Sequence, residues 1–192
     1  MLAAAIEHFA AHGIGDMSLR TMADRLGTSH RMLIYHFGSR EGLLAAVVHA
    51  VEADQRAALA MLVAETGREP MEQVRRFWAR VADATEVYGR LFFELASDAL
   101  YDRPHAEEFR AELVDPWLTP LAELWERAGM DRADAPAYAR LGLGAARGLL
   151  LDLLATGDRA AVDEAAEALH QLFEAKASGY SVTFLLPQPA NE

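Results

Sequence analysis

Residues 18–44 read SLRTMADRLGTSHRMLIYHFGSREGLL, and the prediction of the fold begins with this stretch. Ser18, Ser29 and Ser39 each precede a run with helical spacing of apolar residues, and serine is a favourable N-cap of a helix. Gly27 ends the first run because glycine takes the left-handed turn without strain, and Gly38 breaks the chain again. The pattern predicts two short helices joined by a tight turn, followed by a longer one.

The two short helices can share a small apolar core, formed by Leu19, Leu26, Leu33 and Phe37. Ala23 lies four residues before Gly27, where a small side chain lets the two helices cross closely. Several side chains on the second helix have no obvious inward role: His30, Arg31, Tyr35 and His36. This helix therefore presents a polar face to a partner or to solvent.

Such a helix can enter the major groove of DNA with its early residues at the base edges. Backbone N–H groups at the helix starts near Ser18 and Ser29 favour phosphate, and Arg40 can neutralise another phosphate. Any two helices packed around a glycine turn fit the same spacing. The spacing alone leaves an ordinary helix pair and a helix-turn-helix both open.

Charge is distributed unevenly along the chain. The whole sequence has 18 basic and 29 acidic residues and a net charge of −11, which argues against nucleic acid as a partner. Residues 18–40 differ, since they hold four arginines, among them Arg20, and one aspartate, a net charge of +3. A local basic patch on an acidic body indicates binding of nucleic acid by that patch.

The composition excludes several classes of protein. The absence of cysteine excludes disulfides, cysteine metal sites and thiol redox sensing. No apolar run reaches about 18 residues, so no membrane span is expected. The start lacks the charged region of a signal peptide. We expect a protein of the cytoplasm without contact to a membrane.

The remaining sequence also has the spacing of helices, and strand signals are weak. Leu2, Ala5, Ile6 and Phe9 predict a first amphipathic helix that ends at Gly13 and Gly15. After a loop at 66–70 we expect one helix through Phe77, a separate one through Leu91 and one that Pro116 and Pro120 interrupt or kink. An apolar helix at 138–155, a last helix at 161–177 and an extended tail at 182–186 follow.

The motif in residues 18–44 resembles the N-terminal domain of TetR-family regulators, and the likeness covers about residues 1–50. Its most specific part is YHFGSREGLL at residues 35–44, and LLLDLLATGD at 149–158 is similar to the penultimate helix of many members. The resemblance implies an all-α fold with a three-helix helix-turn-helix domain at 1–45 and a helical effector-binding and dimerisation domain at 46–192.

The resemblance also implies roles for matching positions. The residues expected at phosphates are Ser18, Tyr35, His36 and Arg40. Those expected at or near base edges are Thr28, Ser29, His30, Arg31 and Met32, and Arg20 completes the DNA-binding set. The chain departs from the family at Ile34, where a tyrosine is usual, and at Arg31, where a small residue is common. The implied partner is double-stranded DNA with a palindromic operator.

The middle helices are rich in aromatic residues. Ordinary packing explains them, because aromatic side chains dominate cores, but a lined small-molecule pocket is the alternative, and the resemblance favours it. We expect a small, largely apolar effector against Trp78, Phe92 and Trp117. Arg147 interrupts an apolar helix and could meet an acidic ligand or pair with a neighbouring carboxylate.

Small residues on the last two helices allow a close approach of another helix. Packing within the chain is one explanation, and a homodimer interface of two helices from each subunit is the one that the family's layout implies. An isologous pair suits palindromic DNA. The residues expected there are Gly142, Ala145, Gly148, Leu149, Ala165, Leu169 and Leu172.

Metal binding and catalysis have weak signals. His8 and His12 share a helix face, but a zinc site needs a third ligand. Asp98, Asp102 and His105 are accompanied by no nucleophile motif. We therefore expect no metal, no cofactor and no catalytic residues. The sequence favours a ligand-responsive repressor released from its operator by a small molecule. The alternatives are a helical enzyme and a constitutive architectural DNA binder without an effector.

Overall fold

The computed structural model describes residues 1–12, 17–65, 67 and 69–179. These residues form helices and connecting turns without a strand, which confirms the prediction of an all-α fold. The helices are α1 (Leu2–His12), α2 (Leu19–Arg25), α3 (His30–Phe37), α4 (Arg40–Ala64), α5 (Pro70–Leu100), α6 (Glu107–Glu112), α7 (Asp115–Arg127), α8 (Ala135–Thr156) and α9 (Arg159–Ala177), and a 3-10 turn spans Pro104–Ala106.

Three serines begin the helices that follow the first, as the sequence predicts. The hydroxyl of Ser18 accepts a hydrogen bond from the backbone N–H of residue 21 at 3.2 Å, and that of Ser29 accepts one from residue 32 at 3.2 Å. Ser39 accepts from residue 42 at 3.0 Å. Each bond satisfies a backbone donor that the first turn of a helix leaves without a partner.

The core of the first four helices continues into α5 and α6. Phe9, Met22 and Leu33 are fully buried, and they belong to one cluster with Leu95 and Phe109. The domain division expected between residues 45 and 46 falls inside α4, which runs without a break from the motif into the rest of the chain. A movement of α4 therefore moves the motif with it.

The prediction of two helices, one through Phe77 and one through Leu91, is wrong. The structure has one helix of 31 residues through both Phe77 and Leu91. Gly89 stands between the two apolar stretches and is buried where α5 crosses α8. A Cβ at Gly89 would lie 3.0 Å from a methyl carbon of Leu154, so this glycine permits a close crossing and does not end the helix.

Proline has two different effects in α7. Pro116 lies in the first turn of α7, where its missing N–H costs nothing, and the helical run is interrupted just before it, between Glu112 and Asp115. Pro120 lies inside α7 without ending it, so no interruption occurs at that position. The predicted helix end at Gly13 and Gly15 and the predicted tail at 182–186 lie outside the described residues.

Helices α4, α5, α7, α8 and α9 pack around a common centre. Trp117, Trp125 and Phe173 belong to the apolar cluster on one side of it, and Leu150 and Val162 to the cluster on the other. None of the helices in the described part of the chain has the length and apolar character needed to cross a membrane.

Candidate functional site

Helix α3 presents an exposed face of mixed polarity, while its one fully buried side chain, Leu33, fixes it to the core. Arg31 is exposed in the first turn, and Tyr35 has 79% of its surface exposed one turn later. Met32 and Ile34 are also exposed. Because large apolar and aromatic side chains are rarely left on a surface in a group without a partner, this face has the character of a binding surface.

The other residues expected at DNA surround this face. Ser29, His30 and His36 are exposed on or beside α3, and Thr28 is half-buried in the preceding turn. Ser18 and Arg20 are exposed at the start of α2. Ser18 also lies 3.0 Å from the hydroxyl of Thr21, so its oxygen has two contacts within the helix start.

Arg40 has a structural contact that the sequence analysis missed. Its Nε donates a hydrogen bond to the backbone carbonyl of Met17 at 3.0 Å, across 23 residues, and the side chain is half-buried. This bond ties the start of α4 to the residue before the α2 cap. A phosphate contact by Arg40 would therefore be made from a side chain whose position is already fixed.

A cavity of about 140 Å³ lies among α4, α5, α7, α8 and α9. The residues expected at an effector, Trp78, Phe92, Trp117 and Arg147, all line it, and so does Trp125. The three tryptophans of the chain thus share one cavity. Its wall is mainly aromatic and aliphatic, which is typical of small-molecule sites.

Some polar groups of the wall have partners inside the chain. The indole N–H of Trp78 donates to Asp163 on α9 at 2.7 Å, and the hydroxyl of Thr85 donates to the carbonyl of Val81 at 2.9 Å. Others do not. The indole nitrogens of Trp117 and Trp125 are buried without a hydrogen-bond partner among the described residues.

Glu52 is a cavity residue that the sequence analysis missed. Burial raises the pKa of its carboxyl to about 7, although the nearby guanidinium groups of Arg147 and Arg56 oppose that rise. The indole N–H of Trp117 lowers the pKa of Glu52 slightly, yet the two groups make no hydrogen bond of ordinary geometry. The signal in the sequence that could have identified Glu52 is the spacing of Val48, Glu52 and Gln55, which lie on one face of α4.

Arg147 is the second charged group of the cavity. Its guanidinium carbon lies 5.5 Å from the centre of the Phe92 ring, and burial lowers its pKa. The sequence left open a pairing with a neighbouring carboxylate. Within the described ranges, no carboxylate oxygen lies within 4.0 Å of the Arg147 guanidinium. The negative charge that acts on the pKa of Arg147, by raising it, is that of Glu52.

The residues expected at a dimer interface divide between two sides of α8 and α9. Gly142, Leu149 and Leu169 line the cavity, so packing within the subunit, the alternative that the sequence left open, accounts for their position. Ala145 is half-buried. Gly148, Ala165 and Leu172 are exposed, and they share their side with Gly144, Leu141 and Leu151.

The weak metal and acid–base patterns do not assemble into sites. The rings of His8 and His12 stack with centroids 4.5 Å apart, and no three metal-ligating side chains come together in the described part of the chain. His105 bonds to Asp98 at 2.8 Å, while Asp102 pairs with Arg110. The acidic group is thus divided between two separate contacts.

Similarity to known proteins begins with the first helices. Residues 1–47 match the family of bacterial regulatory proteins described as the tetR family. Over 40 residues the chain is 52% identical to the HTH-type transcriptional regulatory protein RaaS of Mycobacterium tuberculosis (strain ATCC 25618 / H37Rv). That stretch spans 21% of this chain and 18% of the relative, so the likeness in sequence is confined to a small part of both.

Solved structures extend the likeness of the fold to most of the chain. A TetR transcriptional regulator from Legionella pneumophila aligns with a TM-score of 0.65 at 20% identity, over 90% of this chain and 92% of that one. SmeT, the repressor of the Stenotrophomonas maltophilia multidrug efflux pump SmeDEF, aligns at 0.62 and 19% identity over 99% and 95%. The SmeT–triclosan complex aligns at 0.66 and 20% identity over 100% and 97%. At these identities the likeness establishes a shared fold.

Proposed function

Since the chain belongs to the TetR family of bacterial regulatory proteins, we propose that it is a transcriptional regulator that binds double-stranded DNA and responds to a small molecule. One observation carries the proposal: α4 and α5 wall the cavity and also pack in one core with α1, α2 and α3. A change in the cavity can therefore alter the position of the exposed α3 face. We place its action in the cytoplasm, where the DNA is.

The proposed DNA contacts are those of a helix-turn-helix, with α3 in the major groove. Arg31 and His30 reach base edges, with Thr28, Ser29 and Met32 beside them. Tyr35, His36 and Arg40 contact phosphates, together with Ser18 and Arg20 at the start of α2. Exposure of these side chains in α3 and at the start of α2 supports this assignment.

We propose a homodimer that uses the exposed side of α8 and α9. Leu141, Leu151 and Leu172 are 55%, 53% and 53% exposed in the single subunit. A Cβ built at Gly144 or Gly148 would meet nothing within 4 Å, so a second subunit can approach the backbone there. Gly142, Leu149 and Leu169 line the cavity and are not part of this proposed surface. A two-fold pair places two α3 helices on a palindromic operator.

The cavity is the proposed effector site, and residues 46–192 are the proposed sensing and dimerisation part, with residues 1–45 as the DNA-binding part. SmeT is a repressor, and one of its structures is a complex with triclosan. By analogy the dimer here blocks transcription from its operator, and an effector in the cavity stabilises a dimer geometry that no longer fits two successive grooves. A ligand acts only through a difference in affinity for the two geometries.

The two alternatives have less support. An architectural DNA binder without an effector does not need a cavity with unpaired polar groups at the centre of its body. An enzyme needs a nucleophile or an acid–base pair held in contact in the cavity. The hydroxyl of Thr85 is bonded to the backbone of its own helix, and that of Tyr88 to the backbone of α1. The Nδ1 of His170 lies 4.0 Å from the carboxylate of Glu167 and is not in contact with Glu52. The regulator is therefore the function that this geometry supports best.

A compound screen with two simultaneous readouts tests the proposal. Trp78, Trp117 and Trp125 all line the cavity, so their fluorescence reports its occupancy. Anisotropy of a duplex selected for binding reports DNA release. We expect compounds that change the fluorescence to weaken duplex binding about 5–150-fold, the usual range of allosteric coupling. Compounds that occupy the cavity and leave duplex affinity unchanged would refute regulation by this site.

A further inference from the structure

Several hydrogen-bond donors of the cavity have no acceptor among the described residues. Arg147 brings a guanidinium without an ion pair among the described residues, and Trp117 and Trp125 bring two buried indole N–H groups without acceptors. Glu52 is the one carboxyl that the described residues contribute to the lining, and burial raises its pKa to about 7. At neutral pH it is therefore protonated in about half of the molecules and neutralises Arg147 only in part. Buried donors without acceptors, and a buried charge that is only partly neutralised, are costly. The cavity therefore favours an acceptor group that stays negatively charged at neutral pH.

We propose that the ligand is a carboxylic acid with an apolar body, whose ionised carboxylate accepts hydrogen bonds from Arg147 in this cavity, while Glu52 is protonated on binding. The proposal rests on the proposed function and deepens it by naming the ligand class. An aromatic or aliphatic body fits the wall formed by Trp78, Phe92 and Trp117. The carboxylate supplies the acceptors that these donors lack and a negative charge that does not depend on the protonation of Glu52.

Glu52 makes the binding of such an acid dependent on protons. The charged and titratable groups that face it are Arg56 on its own helix, Glu112 on α6 and Arg147 on α8, with Trp117 on α7. Tyr88 on α5 and His170 on α9 line the same cavity. A second negative charge beside Glu52 disfavours its ionised form, because like charges in a buried site repel. One proton from solvent then moves onto Glu52, whose hydroxyl becomes a donor, and no other bond changes.

A ligand of the opposite charge, an amine, would reverse the direction of proton transfer on binding. An amine would pair with ionised Glu52 and release a proton, and it would meet Arg147 as a like charge. The guanidinium keeps its positive charge in proteins, so its repulsion of a cation does not disappear at any working pH. The geometry therefore favours an acid over an amine.

Matched probes test the ligand class directly. The probes are phenylacetate, 3-phenylpropanoate and 4-phenylbutyrate, each with its amide and the amine of equal length, followed by tryptophan fluorescence and by thermal shift. We expect at least one acid to bind about tenfold or more tightly than its amide, and the amine to bind least. Equal binding of acid and amide, tightest binding by an amine, or binding of none of the acids would each overturn the proposal.

The pH dependence of acid binding tests the role of Glu52. The acids stay ionised from pH 6 to pH 8, whereas the protonated fraction of a group with a pKa of about 7 falls about tenfold. Affinity for the acid should therefore fall about tenfold over that range. In Glu52→Gln, which keeps a donor and cannot ionise, we expect less than about a twofold change. An unchanged pH profile in Glu52→Gln would contradict the proton linkage.

Arg147→Met tests the contact and keeps the aliphatic volume of the side chain. We expect it to weaken the acid about tenfold to a hundredfold, the value of hydrogen bonds to charged groups, and to leave amide binding within about twofold. Arg90→Met is the matched control, because Arg90 is exposed on α5 and does not line the cavity. Equal loss of acid and amide in Arg147→Met would indicate a structural role only and overturn the proposal.

The same probes separate this inference from the proposed function. An acid that binds with the expected pH profile but leaves duplex affinity unchanged supports the ligand class and contradicts regulation through the cavity. An amine or amide that binds best and releases the duplex supports regulation and contradicts the acid.

Discussion

The hydroxyl of Tyr88 donates a hydrogen bond to the backbone carbonyl of Ile6 at 2.9 Å. Tyr88 lies on α5 and lines the cavity, and Ile6 belongs to α1, the first helix of the DNA-binding part. The Tyr88 phenol is protonated at neutral pH even at the ordinary tyrosine pKa of about 10, and burial raises that pKa further. One side chain thus contacts both the proposed effector site and the helix that supports the helix-turn-helix.

Tyr88→Phe should reduce communication between the two sites while keeping both. It removes one hydrogen bond, which costs about 1 kcal/mol of stability, and it leaves the aromatic ring in the cavity wall. We expect the factor by which a bound effector weakens duplex binding to fall, with duplex affinity of the free protein nearly unchanged. Tyr101→Phe is the control, because Tyr101 is 75% exposed and does not line the cavity. An unaltered coupling factor in Tyr88→Phe would show that this contact does not transmit the effect.

Arg31→Ala and Arg40→Ala should differ in their effects on DNA binding. Arg31 is exposed in the first turn of α3, so its loss should cost about 1–3 kcal/mol on the best site and relax base preference. Arg40→Ala should weaken all duplexes similarly and reduce the salt slope by about one unit per subunit. It should also lower thermal stability, because Arg40 holds the carbonyl of Met17. Equal losses on specific and random duplexes for both variants would refute base reading by Arg31.

Gly148→Glu should separate the subunits without unfolding them. A side chain at Gly148 meets nothing within 4 Å in the subunit, and replacing a helical glycine improves helix propensity by up to about 1 kcal/mol. In the proposed dimer it places a charge in an apolar interface. Light scattering should give a monomer with the helical circular dichroism of the parent. Ala57→Glu, at an exposed position of α4, is the control. A dimer that persists in Gly148→Glu would remove this surface from consideration.

Stability should depend on pH through Glu52. Its pKa is about 7 in the folded chain against a model value of 4.5, so the folded state holds more protons than the unfolded state between these values. The free energy of unfolding therefore falls as pH rises through that window, and the loss is complete above pH 7. Glu52→Gln should be more stable than the parent by roughly 3 kcal/mol at pH 8 and by less than about 1 kcal/mol at pH 5. Urea unfolding at fixed protein concentration measures the difference, and an equal gain at both pH values would contradict the buried titration.

Local signals in the sequence were sufficient for the motif and insufficient for the cavity. The N-caps at Ser18, Ser29 and Ser39 depend on residues three positions away, so the sequence alone predicts them. Arg147 was found because a charge in an apolar run is conspicuous. Glu52 was missed, because a charged residue on a long amphipathic helix is normally solvated, and only the packing of α4 against α7 and α8 encloses it.

One wrong prediction and one open choice have the same physical origin. The two helices predicted through Phe77 and Leu91 are one helix, and Gly89 between them permits a close crossing with Leu154, which is 65 positions further along the chain. Helix α8 is apolar on more than one side, so its periodicity could not decide whether Gly142 or Gly148 faces outward. In both cases the tertiary partner decides, and the sequence does not indicate that partner.

Selection of bound sites from random duplex DNA is the decisive measurement, because the proposed regulator is a dimer that presents two α3 helices to one duplex. We predict enrichment of an inverted repeat whose half-sites are about 10 base pairs, or a multiple, from centre to centre, which corresponds to roughly 34–36 Å per helical turn. Arg31→Ala should recover the same spacing with a relaxed base preference in each half-site. A selection that enriches no sequence above the input pool, or only isolated half-sites without two-fold symmetry, would contradict the account.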